Sequence, residues 1–312
     1  MGASSRRVFA RGRALLEDRG PFARPLFVLA HHDDEVTAAG LLQRLGPQTR
    51  IVWVTNSDGL YFESELTPAR YAEVRKAEGI RSAGAAGIPA EQTSCLDFSE
   101  VETYRLFSAL HAGSMTIHDV LPYFSGMRDA VRDAVFETKP DLVVTLAWQG
   151  GQPEHDLTHF FTRLAIDELE RKTGRRPVFL HFPAYEYTIL LAMRFHPLYR
   201  GERMRIRLTP DELRVKREMI RAYPSQEILF GKFQRVFDFV IKPFALVLGG
   251  PRTIDQFLAV EEFGPVPPAL DYAANPHWFD FFSYMFDDFE GTPVTYTGSI
   301  RPLVRALLRP QS

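Results

Sequence analysis

The chain has 312 residues, 45% hydrophobic and 24% charged, the make-up of a soluble globule with a sizeable core. Its 37 Lys and Arg against 39 Asp and Glu leave a net charge of −2, so no global field selects nucleic acid or an anionic membrane as partner. A single cysteine, Cys95, excludes an intrachain disulfide framework and a cysteine-built zinc site. Residues 1–20 are basic but lack the apolar stretch of a signal peptide, and Arg6 stands where a myristoylation signal needs Ser or Thr. No apolar stretch is long enough to span a bilayer; the richest, 239–248, is interrupted by Lys242 and Pro243. The expected compartment is the cytoplasm.

From residue 25 onward strands and helices alternate. Residues 25–30 and 50–55 read as strands with a helix at 36–45 between them, a βαβ unit with parallel strands. A helix is expected over 68–86, stopped by Gly87, then a strand over 93–98 in which Cys95 fits a small buried hydrophobe better than a catalytic thiol. Residues 99–120 have mixed polarity and no clear period, and are expected to form a surface insertion. An amphipathic helix over 120–138 leads to a strand over 141–146, a break at 150–153, a helix over 154–171 and a strand over 177–182. This alternation predicts an α/β fold with a doubly wound, mostly parallel, Rossmann-like sheet whose ligands lie beyond the carboxyl ends of the strands. Beyond Ala184 come a helix at 210–221, apolar runs at 236–241 and 244–248, and a tail from Pro265 rich in Phe, Tyr and Pro. With no linker and no repeat, one domain over 1–312 is expected, with a core over about 22–230 and a C-terminal elaboration over about 231–312.

Chemistry concentrates at two strand ends. After the apolar run Phe27 to Ala30 come His31, His32, Asp33, Asp34 and Glu35. Titratable groups in the mouth of a buried strand need partners or a metal to offset their desolvation. The plain alternative is a solvated turn in which Asp33 or Asp34 caps the next helix. The loop after the strand ending at Leu146 carries Gln152, Glu154, His155, Asp156 and His159. In a doubly wound fold both loops can share one crevice. His31, Asp34 and a histidine of the second loop would then make a three-ligand zinc site with an open position, and Asp33 would stand ready to take a proton from water.

The series of motifs resembles the PIG-L/LmbE-like family of zinc-dependent N-deacetylases, typified by N-acetylglucosaminyl-phosphatidylinositol de-N-acetylase. Ala30-His31-His32-Asp33-Asp34-Glu35 resembles the family's Ala-His-Pro-Asp-Asp-Glu, and Thr55-Asn56-Ser57-Asp58-Gly59 its stretch after the second strand. Arg75-Lys76-Ala77-Glu78 with Gly87, Gly150-Gly151-Gln152-Pro153-Glu154-His155-Asp156, and Lys216 with Ser225-Gln226 follow in family order. The resemblance implies an LmbE-like fold, Zn²⁺ (or another divalent metal such as Fe²⁺) held by His31, Asp34 and His155, and Asp33 as general base. It implies hydrolysis of an N-acyl group, typically N-acetyl on an amino sugar or sugar-like metabolite, with Arg75 and Asp97 holding substrate hydroxyls. A small N-acylated molecule is the expected partner, and the oligomeric state stays open.

Two departures bear on mechanism. His32 replaces Pro and loosens the turn, fitting a turn or supporting residue rather than a fourth ligand. Gln152 replaces the family's His; it can donate to an oxyanion but cannot act as a general acid. The final proton would then come from protonated Asp33 or another histidine. His159, one turn beyond His155, is a candidate for that acid, against the alternatives of a supporting or a packed histidine. Glu35 is expected either to orient a ligand or simply to sit favourably in a first helical turn. Residues 181–187 are candidates to line the crevice with aromatic rings. Alternatives to the amino-sugar hydrolase are a hydrolase of a non-sugar amide or hydrazide in specialised metabolism, and a non-catalytic ligand-binding relative in which Gln152 marks lost turnover.

Overall fold

The computed structural model describes residues 22–186, 191–196, 198–243, 250–277, 284 and 288–309. Its centre is a seven-stranded sheet built from β1 (Pro25–Leu29), β2 (Arg50–Thr55), β3 (Thr93–Phe98), β4 (Leu142–Leu146), β5 (Val178–Phe182), β8 (Met204–Arg207) and β9 (Val260–Pro265), with β6 (Tyr185–Glu186) and β7 (Leu191–Ala192) forming a separate pair. The strand order is β3-β2-β1-β4-β5-β9-β8. The first five strands run parallel, and β9 and β8 extend the edge antiparallel. The expected α/β, doubly wound, mostly parallel sheet is therefore present.

Phe27 of β1 pairs with Ile51 on one side and Val144 on the other, so β1 is central and buried on both faces. Its side chains alternate. Leu26 and Val28 enter a core with α4 (Ile117–Thr138) and α5 (Pro153–Thr173), while Phe27 and Leu29 enter one with α1 (Ala39–Leu45), α2 (Pro68–Ala85) and α6 (Pro210–Arg221). The strand order reverses between β1 and β4, which opens a crevice at their carboxyl ends.

Residues 99–120 are not the surface insertion expected of them. They form α3 (Glu100–Ala112) and the first turn of α4. The Ser99 side chain accepts from the Glu102 backbone N–H to start α3, and Tyr104, Leu106 and Phe107 are buried in the core. The helix buries only its middle, so its charged and small residues hide the period. Residues 237–241 continue helically from α7 (Glu227–Val236), and residues 244–248 lie outside the described residues. No helix among the described residues is long and apolar enough to cross a membrane.

The segment after residue 231 is built into the sheet and core. It supplies β9, and Tyr272, Tyr284, Val294, Tyr296 and Ile300 join the core beside α4 and α5. Its Glu261 is buried and accepts from the backbone N–H groups of Gly40 (2.8 Å) and Leu41 (3.0 Å) at the start of α1, and from Lys216 Nζ at 2.8 Å. Lys216→Met would leave this carboxylate buried without its counter-ion, so a loss of about 3–5 kcal/mol in urea unfolding is expected, partly restored by adding Glu261→Gln.

Candidate metal centre and active site

The turn after β1 is irregular and fully braced. Thr55 donates its backbone N–H and hydroxyl to Ala30 O (2.9 and 2.8 Å), and His31 N donates to Asp34 Oδ2 at 2.7 Å. Asp33 holds φ = +118°, outside the ordinary range of a non-glycine residue. Its N–H donates to Glu35 Oε2 (3.1 Å), and its carboxylate pairs with Arg75 at 3.0 Å. Glu35 is buried and also accepts from Ser82 Oγ (2.6 Å), Trp53 Nε1 (3.3 Å) and the Tyr223 hydroxyl. It therefore orients the turn rather than merely favouring a helix start. His32 turns away from the crevice, bonding Ser57 Oγ at 3.0 Å and stacking on Trp53.

The second loop is shaped by two glycines and the C-terminal tail. Gly150 has φ = +73°, and a Cβ there would lie 2.6 Å from the His277 ring; one on Gly151 would lie 2.4 Å from Tyr185 O. Asp156 accepts from the N–H groups of Gln149 (3.0 Å) and Gly150 (3.1 Å) and from Tyr284 Oη at 3.1 Å. His277 Nε2 donates to Gly150 O. These bonds set where α5 starts and so where Gln152 and His155 stand.

The two loops meet. His31 Nδ1 lies 3.1 Å from His155 Nε2, which lies 3.1 Å from Asp34 Oδ1, while His31 Nδ1 and Asp34 Oδ2 are 3.8 Å apart. All three residues are buried. Two imidazole nitrogens and a carboxylate converging in this way suit a divalent cation of the zinc or iron type, so the donor set fits the expected metal. The surrounding field favours positive charge. Although burial works against it, the carboxylates of Glu100, Glu154 and Asp34 raise the His31 imidazole to about 10. Burial would raise Asp34, but His155 and His31 hold it below its ordinary value. Burial pushes Asp33 up to about 7 against the pull of Arg75.

A cavity of about 470 Å³ opens onto this cluster, lined among others by Asp33, Arg75, Glu100, Gln152 and Tyr185. Tyr185, from the expected aromatic segment, stacks on the His155 ring at 5.5 Å. Arg75 is buried between Asp33 and Glu78 and donates to His32 O, which sets it to hold the Asp33 carboxylate at the cavity wall. Two residues missed by sequence reasoning flank His31: Glu154 Oε2 lies 2.9 Å and Glu100 Oε1 3.8 Å from its Nε2. Glu154 lay inside the quoted motif, whereas nothing in the sequence marked Glu100, the first residue of α3.

Two expected site residues lie elsewhere. His159 is fully buried, with Nδ1 bonded to Leu146 O (2.7 Å) and Nε2 to Tyr272 Oη (3.0 Å). Both nitrogens are occupied in the core and neither reaches the cavity, which corrects the candidate acid to a packed histidine. Asp97 is exposed at the end of β3, where it pairs with Lys76 outside the cavity, so it does not hold substrate there. Burial pushes the Cys95 thiol up to about 12, which removes it as a nucleophile at neutral pH.

Residues 26–166 match the family model for PIG-L, GlcNAc-PI de-N-acetylase, and carry a domain of that family. Three solved structures share the fold at low identity. A deacetylase of the teicoplanin biosynthesis pathway in complex with bog has a TM-score of 0.57 at 18% identity, over 78% of this chain and 97% of that one. The zinc-inhibited form of teicoplanin deacetylase has a TM-score of 0.52 at 15% identity, over 78% and 97%. N,N'-diacetylchitobiose deacetylase from Pyrococcus horikoshii has a TM-score of 0.50 at 16% identity, over 86% and 94%. No curated protein matches the chain.

Burial lowers the His159 pKa to about 4. Because the unfolded chain binds this proton near pH 6.5, the group's contribution is complete above that value and is lost as pH falls toward 4, amounting to on the order of 3 kcal/mol. The slope of unfolding free energy between pH 4.5 and 6.5, measured in urea, is expected to be about one proton smaller in His159→Asn than in the natural protein.

Proposed function

With a PIG-L domain over residues 26–166 as premise, we propose that the protein is a metal-dependent hydrolase that removes an N-acyl group, in first place N-acetyl, from an amine such as an amino sugar. The observation that carries this reading is the convergence of His31 Nδ1, Asp34 and His155 Nε2 at one end of a cavity with Asp33 alongside. These three residues would hold the cation and Asp33 would be the base. A divalent cation in such a site lowers the pKa of its water toward neutrality and polarises an acyl oxygen.

The remaining roles follow from the chain itself. Asp33, kept in place by Arg75 and Glu35, takes a proton on its carboxylate and can return it to the leaving amine. Gln152, at the cavity wall, can donate its amide N–H to the oxygen that gains charge. Tyr185 covers His155 and keeps water from that side. Zinc is the first choice of metal and iron the second. A cytoplasmic setting is part of the same proposal.

Replacing His31, Asp34 or His155 by Ala is expected to abolish both bound metal and amine release, read by metal analysis and an amine-labelling assay. Asp33→Asn should keep the metal and lower kcat by about 10²-fold or more. Gln152→Ala should cost about 10²–10³ in kcat with metal retained. Full turnover in the metal-stripped protein or in Asp33→Asn would defeat the proposal.

A further inference from the structure

The cavity wall beside His31 has an unusual balance of groups. Glu100 opens α3 with its side chain 12% exposed, one carboxylate oxygen taking the Gly59 N–H at 3.2 Å and the other 3.8 Å from His31 Nε2. Tyr104, one turn along the same helix face, lines the same wall. Gln152 is 4% exposed, and its Oε1 has no hydrogen-bond partner; the buried Glu154 Oε1, two residues further on, has none either. Arg75 Nε, a donor, and the Tyr104 hydroxyl, which can donate or accept, are unpaired on the same wall; the Gln152 oxygen only accepts, and a buried acceptor without a donor is costly unless something that donates is bound. At the rim, Asp288 and Glu290 flank Phe289.

Of the basic groups on the described wall, Arg75 is engaged by Asp33, Glu78 and His32 O, and the His31 ring faces Glu154 at 2.9 Å, which leaves Glu100 with the Gly59 N–H and the more distant ring edge. A phosphate or carboxylate placed against this part of the wall would face the Glu100 carboxylate. An ammonium group would meet the opposite: it carries three N–H donors for Glu100 and the Gln152 oxygen, and aromatic rings attract it across their faces.

We propose that the substrate bears a second, free ammonium group near the acylated nitrogen, held by Glu100 with Gln152 and Tyr104; it is an acylated diamine, either linear or part of an amino sugar. This rests on the hydrolase reading above. The metal-loaded full chain is assayed on two matched pairs. N-acetyl-1,4-diaminobutane is set against N-butylacetamide, and a mono-N-acetylated diamino sugar with its second amine free against N-acetylglucosamine. In at least one pair the ammonium-bearing member should have kcat/KM higher by about tenfold or more. That ratio should fall toward one in Glu100→Gln and be partly kept in Glu100→Asp, with metal content measured on each preparation. The responsive pair identifies the scaffold. Independently of turnover, 1,4-diaminobutane should bind the protein in low-salt titration calorimetry and lose about tenfold or more in affinity in Glu100→Gln. Equal rates within both pairs, a preference that survives Glu100→Gln, or no diamine binding overturns the subsite and leaves the hydrolase reading standing. Diamine binding through Glu100 with no N-acyl compound hydrolysed supports the subsite and removes the hydrolase.

Discussion

Placing charge at the end of a fully buried strand is the constraint on which this structure depends. The side chains of His31, His32, Asp34 and Glu35 have almost no contact with solvent, and such groups persist in a protein interior only when every polar atom is matched. Glu35 draws in Ser82 from α2, Trp53 from β2 and Tyr223 from beyond α6. Arg75 answers Asp33 and the His32 carbonyl, and Glu78, one turn along from Arg75, takes the N–H of Ser225 at 3.0 Å. Helices and loops far apart in sequence are thus fixed around one five-residue turn. The cost of that arrangement is offset by these bonds, which hold His31 and Asp34 in place beside His155.

The second half of the site depends on parts of the chain that carry no chemistry of their own. The loop bearing Gln152 and His155 takes its shape from Asp156 below it and from His277 and Tyr284 of the tail above it. Glu261, from the antiparallel strand between β5 and β8, caps the helix that follows the 31–35 turn and is itself held by Lys216. The C-terminal segment is therefore a structural partner of the site, which explains why so aromatic a tail is buried beside α4 and α5 rather than left on the surface.

Legibility varied from residue to residue for physical reasons. The turn at 31–35 stood out because its composition contradicts its burial, a conflict that any reader of hydrophobic pattern can detect. His159 misled because helical spacing places it near His155 but does not say which way the ring is tied; the Leu146 carbonyl and the Tyr272 hydroxyl decide that. Asp97 has a suitable residue type at a strand end, yet the β3 edge carries it outward to Lys76. Glu100 could not be seen at all, since an acid in the first turn of a helix is an ordinary choice, and its approach to His31 arises only when α3 packs across the mouth of the sheet.

The sequence alone determined the alternation of strands and helices, the switch point where ligands gather, and the residue types His31, Asp33, Asp34 and His155, because hydrophobic period and residue chemistry are local properties. The tertiary structure decided which nitrogen faces which oxygen, that Glu100 and Glu154 flank His31, that Gln152 presents an unpaired acceptor, and that the tail builds the loop. Those are distances between segments up to about a hundred and thirty residues apart. Such distances are set by packing and by the need to satisfy buried charge, neither of which is written in any one stretch of the chain.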